Sequence, residues 1–276
     1  MERAEMMNLL YSEKEKNEDI RLTRNRHGQL EYLTTMNYIH KFVPSESKIL
    51  EVGAGTGRYS VALAMEGYDV TAVELVGNNL EILRRNAAGL ENITSYQGDA
   101  EDLSLFADNS FDAVLVLGPM YHLFEKAEQH RALDEAIRVS KPGGVIMVSF
   151  LSVYSIMYNN YLLGNFREGI EENFDADFQV RHFTEQWFTG FDIKEFEELF
   201  SEKPVQKIAL AGTDSVLELA EKAHVMYLSD EDFQLFSEYH LKTCEKRELL
   251  GTQTHLLYIY AEKSGGYKFQ FINSTL

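Results

Sequence analysis

Lys48-Ile49-Leu50-Glu51-Val52 runs without a break into Gly53-Ala54-Gly55-Thr56-Gly57, and the reading of these ten residues decides the fold. Residues 48–52 form a short apolar run of the kind that makes a buried strand. Residues 58–66 (RYSVALAME) suit a helix that buries Val61, Ala62, Ala64 and Met65, with Gly67 placed to end it. Glycines between a strand and a helix let the backbone turn tightly and approach a ligand with no Cβ in the way. The leading N–H groups of the helix favour an anionic ligand group. The expected ligand is nucleotide-like.

Working outward, the alternation repeats. YDVTAVEL (68–75) is a second strand, a helix follows near 78–88, and strands are expected at 93–96 and 111–117. A helix near 126–140 and a strand at 145–150 come next, separated by a turn at Lys141-Pro142-Gly143-Gly144. Strands joined by helix-sized crossovers predict right-handed βαβ units, hence an α/β fold with a parallel sheet covered on both faces. On the N-terminal side, 29–42 (QLEYLTTMNYIHKF) has helical spacing, whereas 1–26 is charged and weakly periodic. On the C-terminal side, 152–190 is an aromatic-rich insertion and 192–201 a helix. A strand is expected at 205–211, a long helical stretch at about 214–250, and a final strand at 255–263.

The glycine spacing narrows the ligand. A dinucleotide fingerprint counted from Gly53 needs glycine or alanine where Arg58 stands, and counted from Gly55 needs glycine where Ser60 stands. No Gly-Lys-Ser/Thr follows, so a phosphate-binding P-loop is also excluded. What remains is an acid followed by alternating glycines.

With that motif the sequence resembles the class I S-adenosylmethionine-dependent methyltransferases, closely over about 45–151 and more weakly over 192–263. The resemblance implies a Rossmann-like sheet of seven strands, mostly parallel with the last antiparallel, with helices on both faces. It implies S-adenosyl-L-methionine as cofactor, held by Glu51, Gly53, Ala54, Gly55 and Gly57. Glu74 and Leu75 would meet the ribose hydroxyls, Asp99 and Ala100 the adenine, and Leu117 and Gly118 the cofactor edge facing the substrate. One carboxylate with two oxygens suits two adjacent hydroxyl donors. The segment Leu117-Gly118-Pro119-Met120-Tyr121-His122-Leu123 is not the Asn/Asp-Pro-Pro-Tyr/Phe signature of amino-directed members. It looks like a variant found in bacterial members that act on small molecules.

His122 and Tyr121 are the candidate catalytic residues, one to accept a proton near neutral pH and one to orient the acceptor. The cluster Arg21, Arg24, Arg26 and His27 concentrates scarce positive charge; it is either a solvated helix or, as Arg26 and His27, part of the substrate site. Tyr154, Tyr158, Tyr161, Phe166, Phe183 and Trp187 are candidates for an apolar pocket wall, with Trp187 the foremost. The expected organisation is a helical extension or lid at 1–44 and a methyltransferase domain at 45–263, with insertions at about 152–190 and 213–250. A tail at 264–276 follows.

Charge and composition exclude other classes. Of 276 residues, 44 are acidic and 26 are Lys or Arg, a formal net charge of −18, which works against a nucleic-acid groove. The single cysteine, Cys244, rules out an intrachain disulfide and a cysteine-based metal cluster, and no metal is expected. No apolar run is long enough for a membrane span and no signal peptide is evident, so a cytoplasmic protein is expected. The function expected is methyl transfer to a small organic acceptor through an O, N or C nucleophile, with the oligomeric state open. The alternatives are a protein or RNA methyltransferase, a non-catalytic cofactor-binding regulator and, most remotely, a nicotinamide oxidoreductase.

Overall fold

A computed structural model describes residues 3–182, 187–225 and 227–262, except for the side chains at 4 and 12–17. Phe183 and the tail at 264–276 lie outside the described residues. The strands are β1 (Lys48–Val52), β2 (Asp69–Glu74), β3 (Ile93–Gln97), β4 (Phe111–Val116), β5 (Ser140–Leu151), β6 (Val205–Gly212) and β7 (His255–Glu262). The helices are α1 (Arg3–Glu18), α2 (Arg21–Arg24), α3 (Arg26–Phe42), α4 (Arg58–Met65), α5 (Gly77–Asn86) and α6 (Lys126–Val139). They continue as α7 (Val153–Ile156), α8 (Phe166–Asn173), α9 (Ile193–Glu198), α10 (Leu217–Lys222), α11 (Asp230–Thr243) and α12 (Arg247–Leu250).

The strands form one sheet in the order β3-β2-β1-β4-β5-β7-β6, with β7 antiparallel to both β5 and β6. Alternate residues of each strand enter two separate cores, as a period of two requires. Ile49, Ala113, Leu115, Val145, Met147, Leu257 and Ile259 pack with α3 and α4 through Met36, Ile39, Tyr59 and Leu63. Leu50, Val114, Val116, Ile146, Val148 and Tyr258 face the other way, against Leu133 and Ala136 of α6 and Phe196 of α9. Strands buried on both faces read as unbroken apolar runs, which is why 48–52 and 111–116 were so clear in the sequence.

Two expectations need correction. Lys141–Gly144 does not separate helix from strand. Ser140 already pairs with Phe111, and pairing resumes at Val145 opposite Ala113, so these residues bulge out of a continuous β5 with Gly143 at φ 79°. The stretch 214–250 is three helices rather than one. His224 takes a φ of 53°, and Ser229 caps α11 by accepting the Asp232 N–H at 3.1 Å. At the N-terminus, where a helical extension is expected, α1 lays Met6, Met7 and Leu10 against Val76 and Phe124 beyond the carboxyl ends of the strands.

β1 is flanked by β2 on one side and β4 on the other, so successive connections leave in opposite directions and open a crevice at their carboxyl ends. The glycine loop after β1 and the 3-10 turn Pro119–His122 after β4 form its two walls.

Candidate functional site

That crevice spans about 940 Å³, counting space open to solvent. Its walls come from the ends of β1 (Glu51, Gly53, Ala54, Gly55), of β2 (Glu74, Leu75) and of β3 (Asp99, Ala100). Leu117, Gly118, Tyr121 and His122 complete them after β4. Of the residues expected around the cofactor, only Gly57 does not line it.

The loop has the shape of a cradle. Gly53, Gly55 and Gly57 take φ of 75°, 55° and 85°, a region L-residues with a Cβ avoid. A Cβ on Gly53 would stand 2.6 Å from Pro119 Cδ, and one on Gly57 would stand 2.7 Å from Leu83 Cγ, so these two glycines are needed for packing. A Cβ on Gly55 would meet nothing nearer than Glu18 Oε1 at 3.8 Å. It would project into open space, which is the space a ligand would use.

Glu74 is buried, and its two oxygens accept the Gly55 N–H at 2.7 Å and the Val76 N–H at 2.9 Å. Burial raises its carboxyl, and these N–H bonds partly offset the rise. The Asn79 side chain also hydrogen-bonds this carboxylate, which leaves one of its four acceptor positions for a hydroxyl donor. Asn79 Oδ1, also on the wall, is a buried acceptor with no partner. Glu51 accepts from Ser60 Oγ; burial, helped by Glu74 and opposed by Ser60, pushes its carboxyl up to about 8. A vicinal diol, an amine and a flat base fit this acceptor-rich wall.

Asp99 is engaged within the protein. One oxygen accepts the Glu101 N–H at 3.0 Å, and the other pairs with Arg3 of α1, which also reaches Glu101 at 2.5 Å. α1 brings Met7, Tyr11 and Glu18 to the same cavity. The sequence offered little sign of these four residues, because α1 has no clear apolar face and its role depends on contacts across the whole domain.

The basic cluster splits. Arg21 lines the cavity and forms a bidentate pair with Glu31, at 2.6 and 3.0 Å, with Glu18 at 3.3 Å from its Nε. Arg26 and His27 do not line it. Arg26 pairs with Asp230 and stacks 4.5 Å over Phe233, while His27 Nδ1 lies 2.5 Å from Glu221 Oε2, so both fasten α3 to α10 and α11. Trp187 is also absent from the wall. Its ring is 40% exposed, and the insertion aromatics Tyr154, Tyr158, Tyr161 and Phe166 likewise stand outside the crevice. The insertion has its own small core of Val153, Met157 and Phe174, which claims its apolar residues.

His122 is held at both nitrogens: Nδ1 lies 2.9 Å from the carbonyl of Trp187 and Nε2 lies 3.0 Å from Tyr11 Oη. Tyr121 is buried beside it, with its hydroxyl 3.4 Å from the Leu117 carbonyl. Behind Tyr121, His255 at the start of β7 sets Nδ1 2.8 Å from Asp214 Oδ2. Burial disfavours its cation, but the carboxylates of Glu31 and Asp214 outweigh that and push it up to about 9. A histidine raised on folding adds stability that is complete below its unfolded value near 6.5 and is lost as pH climbs through 9. Urea unfolding should therefore show wild type losing its advantage over His255→Gln across that window, by no more than about 1.4 kcal/mol per pH unit. A constant difference from pH 6 to about 10 would refute the coupling.

Residues 49–144 match the family described as Methyltransferase domain. The chain is 42% identical over 101 residues to a demethylmenaquinone methyltransferase of Clavibacter sepedonicus, covering 37% of this chain and 40% of that protein. It is 36% identical over 126 residues to the enzyme of the same name from Renibacterium salmoninarum, covering 44% and 50%. The chain thus spans half or less of the length of these curated relatives. Among solved structures, a S-adenosylmethionine-dependent methyltransferase of Thermotoga maritima, a possible histamine N-methyltransferase, aligns over 94% of this chain and 99% of its own. Its TM-score is 0.57 at 20% identity. The [4+2]-cyclase SpnF aligns at TM-score 0.56 and 17% identity, over 85% and 82%. Likeness at these identities speaks for the fold alone.

Proposed function

From the methyltransferase-domain match at residues 49–144 and the crevice those residues help to form, we propose that the protein transfers the methyl group of S-adenosylmethionine to a small organic acceptor. One observation carries this reading. The open face of Gly55, the carboxylate of Glu74 and the Asp99-Ala100 turn line a single crevice at the carboxyl ends of adjacent strands. Bound there, the cofactor supplies an electrophilic methyl on a sulfonium.

The chain's own residues bind, orient and exclude water. In this reading Glu74 takes a ribose hydroxyl on its remaining lone pair, and Asn79 Oδ1 finds a donor. Asp99 exchanges its bond with Arg3 for one with the adenine amine. Leu117, Gly118, Tyr121 and His122 face the acceptor, where proximity and a dry apolar wall do most of the catalytic work. The relatives' names supply demethylmenaquinone as an example of an acceptor, but the chain matches them over half or less of their length. In this reading the acceptor is selected by α1, Arg21, Tyr121 and His122, of which α1 and Arg21 lie outside the matched residues 49–144. No helix among the described residues is long and apolar enough to cross a membrane. The acidity of the chain fits a small molecule better than RNA.

Isothermal titration of the full chain with S-adenosylhomocysteine is expected to give one-site binding that NADH does not compete for. Absence of heat with both S-adenosylmethionine and S-adenosylhomocysteine would end this reading.

A further inference from the structure

His122 touches two groups of unlike chemistry, and this fixes where its proton sits. A carbonyl oxygen only accepts, so the Trp187 carbonyl at 2.9 Å requires a proton on Nδ1. In the neutral ring Nε2 is then an acceptor, and Tyr11 Oη, 3.0 Å away, is its donor. The rings meet edge to face, with centroids 5.8 Å apart. Both side chains line the crevice, Tyr11 from α1 and His122 from the turn after β4.

Resting on the methyl-transfer reading above, we infer that Tyr11 is a catalytic acid–base residue for an aromatic hydroxyl acceptor, taking its proton while handing its own to His122. The chemistry selects this acceptor. A carboxylic acid is already ionised near neutral pH and needs no base, whereas a phenol keeps its proton until the oxygen attacks. The acceptor phenol and Tyr11 are oxygen acids of one kind, and the imidazole of His122 takes the net proton. Met7, Leu22 and Leu123 on the wall, and Tyr121 within it, suit a flat apolar body.

The step balances. The acceptor oxygen forms its bond to the methyl carbon as the carbon–sulfur bond breaks, and the sulfonium leaves as a neutral thioether. The acceptor's proton passes to Tyr11 Oη, the Tyr11 proton passes to His122 Nε2, and the imidazolium gives its extra proton to water once the product leaves. Tyr11 itself stays neutral between turnovers. Burial raises its hydroxyl well above the usual tyrosine value, the nearby Tyr121, Glu18 and Glu74 raise it further, and Arg21 opposes them. His122 acts through Tyr11 and is a positioning residue.

The test uses the full chain with labelled S-adenosylmethionine and two probe acceptors, 2-naphthol and the far more acidic pentafluorophenol, which is ionised at neutral pH. Tyr11→Phe is expected to cut kcat on 2-naphthol about 100-fold and to leave pentafluorophenol within about fivefold, with His122→Gln behaving alike. Affinity for S-adenosylhomocysteine should stay within about threefold in both variants. Independently of turnover, long-range ¹⁵N spectra of histidine-labelled protein should show His122 as the Nδ1–H tautomer. Its Nε2 resonance should move downfield in Tyr11→Phe as the hydrogen bond is lost. Equal losses on both acceptors, an Nε2–H tautomer, or a wild type that binds S-adenosylhomocysteine yet methylates neither probe would overturn the relay. Failure to bind S-adenosylhomocysteine at all would instead defeat the methyl-transfer reading on which it rests.

Discussion

Gly55→Val is expected to abolish cofactor binding while leaving a folded protein. Gly55 sits at φ 55°, so any L-residue there incurs roughly 1–2 kcal/mol of backbone strain. The new side chain meets no protein atom nearer than 3.8 Å at Cβ, so the free protein has room for it. The isopropyl group instead fills the part of the crevice between the glycine loop and Glu18. A ligand that must lie against the loop backbone then loses its place, and affinity for S-adenosylhomocysteine should fall at least about 1000-fold, or about 4 kcal/mol. Calorimetry measures the loss, and circular dichroism with urea unfolding checks the fold. Gly53→Ala makes the contrast: its Cβ falls 2.6 Å from Pro119 Cδ, so it should damage folding before binding. Retained affinity in Gly55→Val, within about tenfold, would mean that the ligand does not use this loop.

Asp214→Ala should be the most destabilising single change around the site, at about 3–5 kcal/mol. The carboxylate is wholly buried and accepts three donors: the N–H of Thr254 at 2.9 Å, the N–H of His255 at 3.0 Å and His255 Nδ1 at 2.8 Å. Alanine strands two backbone donors and an imidazolium in a place water does not reach, and each unmet group carries its full desolvation penalty. Burial raises the Asp214 carboxyl, and the His255 bond only partly offsets this, so the intact pair is worth less than its removal costs. Asp214→Asn keeps the shape and one acceptor oxygen and should recover a part of the loss. Urea midpoints at neutral pH give the comparison. A loss below about 1 kcal/mol for alanine would show that the β6–α10 loop relaxes to let water in.

Much of the fold was legible because its cues are local. The apolar runs of β1, β2 and β4, the amphipathic spacing of α3 and α6, and the glycines at 53–57 each depend on neighbours within a few residues, and the boundaries fell close to where they were expected. Glu51, Glu74, Asp99 and Gly118 were legible for the same reason: each stands at or just past the end of a recognisable strand. The misreadings have one cause. Lys141–Gly144 carries turn residues, yet pairing with β4 and β7 absorbs them as a bulge in β5. The aromatics of 152–190 look like a pocket wall, but Tyr154, Tyr158, Phe166 and Trp187 stay partly in solvent while others build the insertion's own core. Arg26 and His27 share a charged cluster with Arg21, but helical geometry turns them towards Glu221 and Asp230, and Arg21 alone reaches the cavity.

By itself the sequence determined the sheet, the glycine cradle and the acids beside it, because backbone geometry and strand periodicity are properties of contiguous residues. Only the tertiary structure decided what covers the cradle. Arg3, Tyr11 and Glu18 come to it from a helix that precedes β1 by thirty residues or more, and His255 comes to Tyr121 from the other end of the chain. Such contacts are fixed by how buried faces pack, and no spacing within one segment records which distant side chain will fill the space above it.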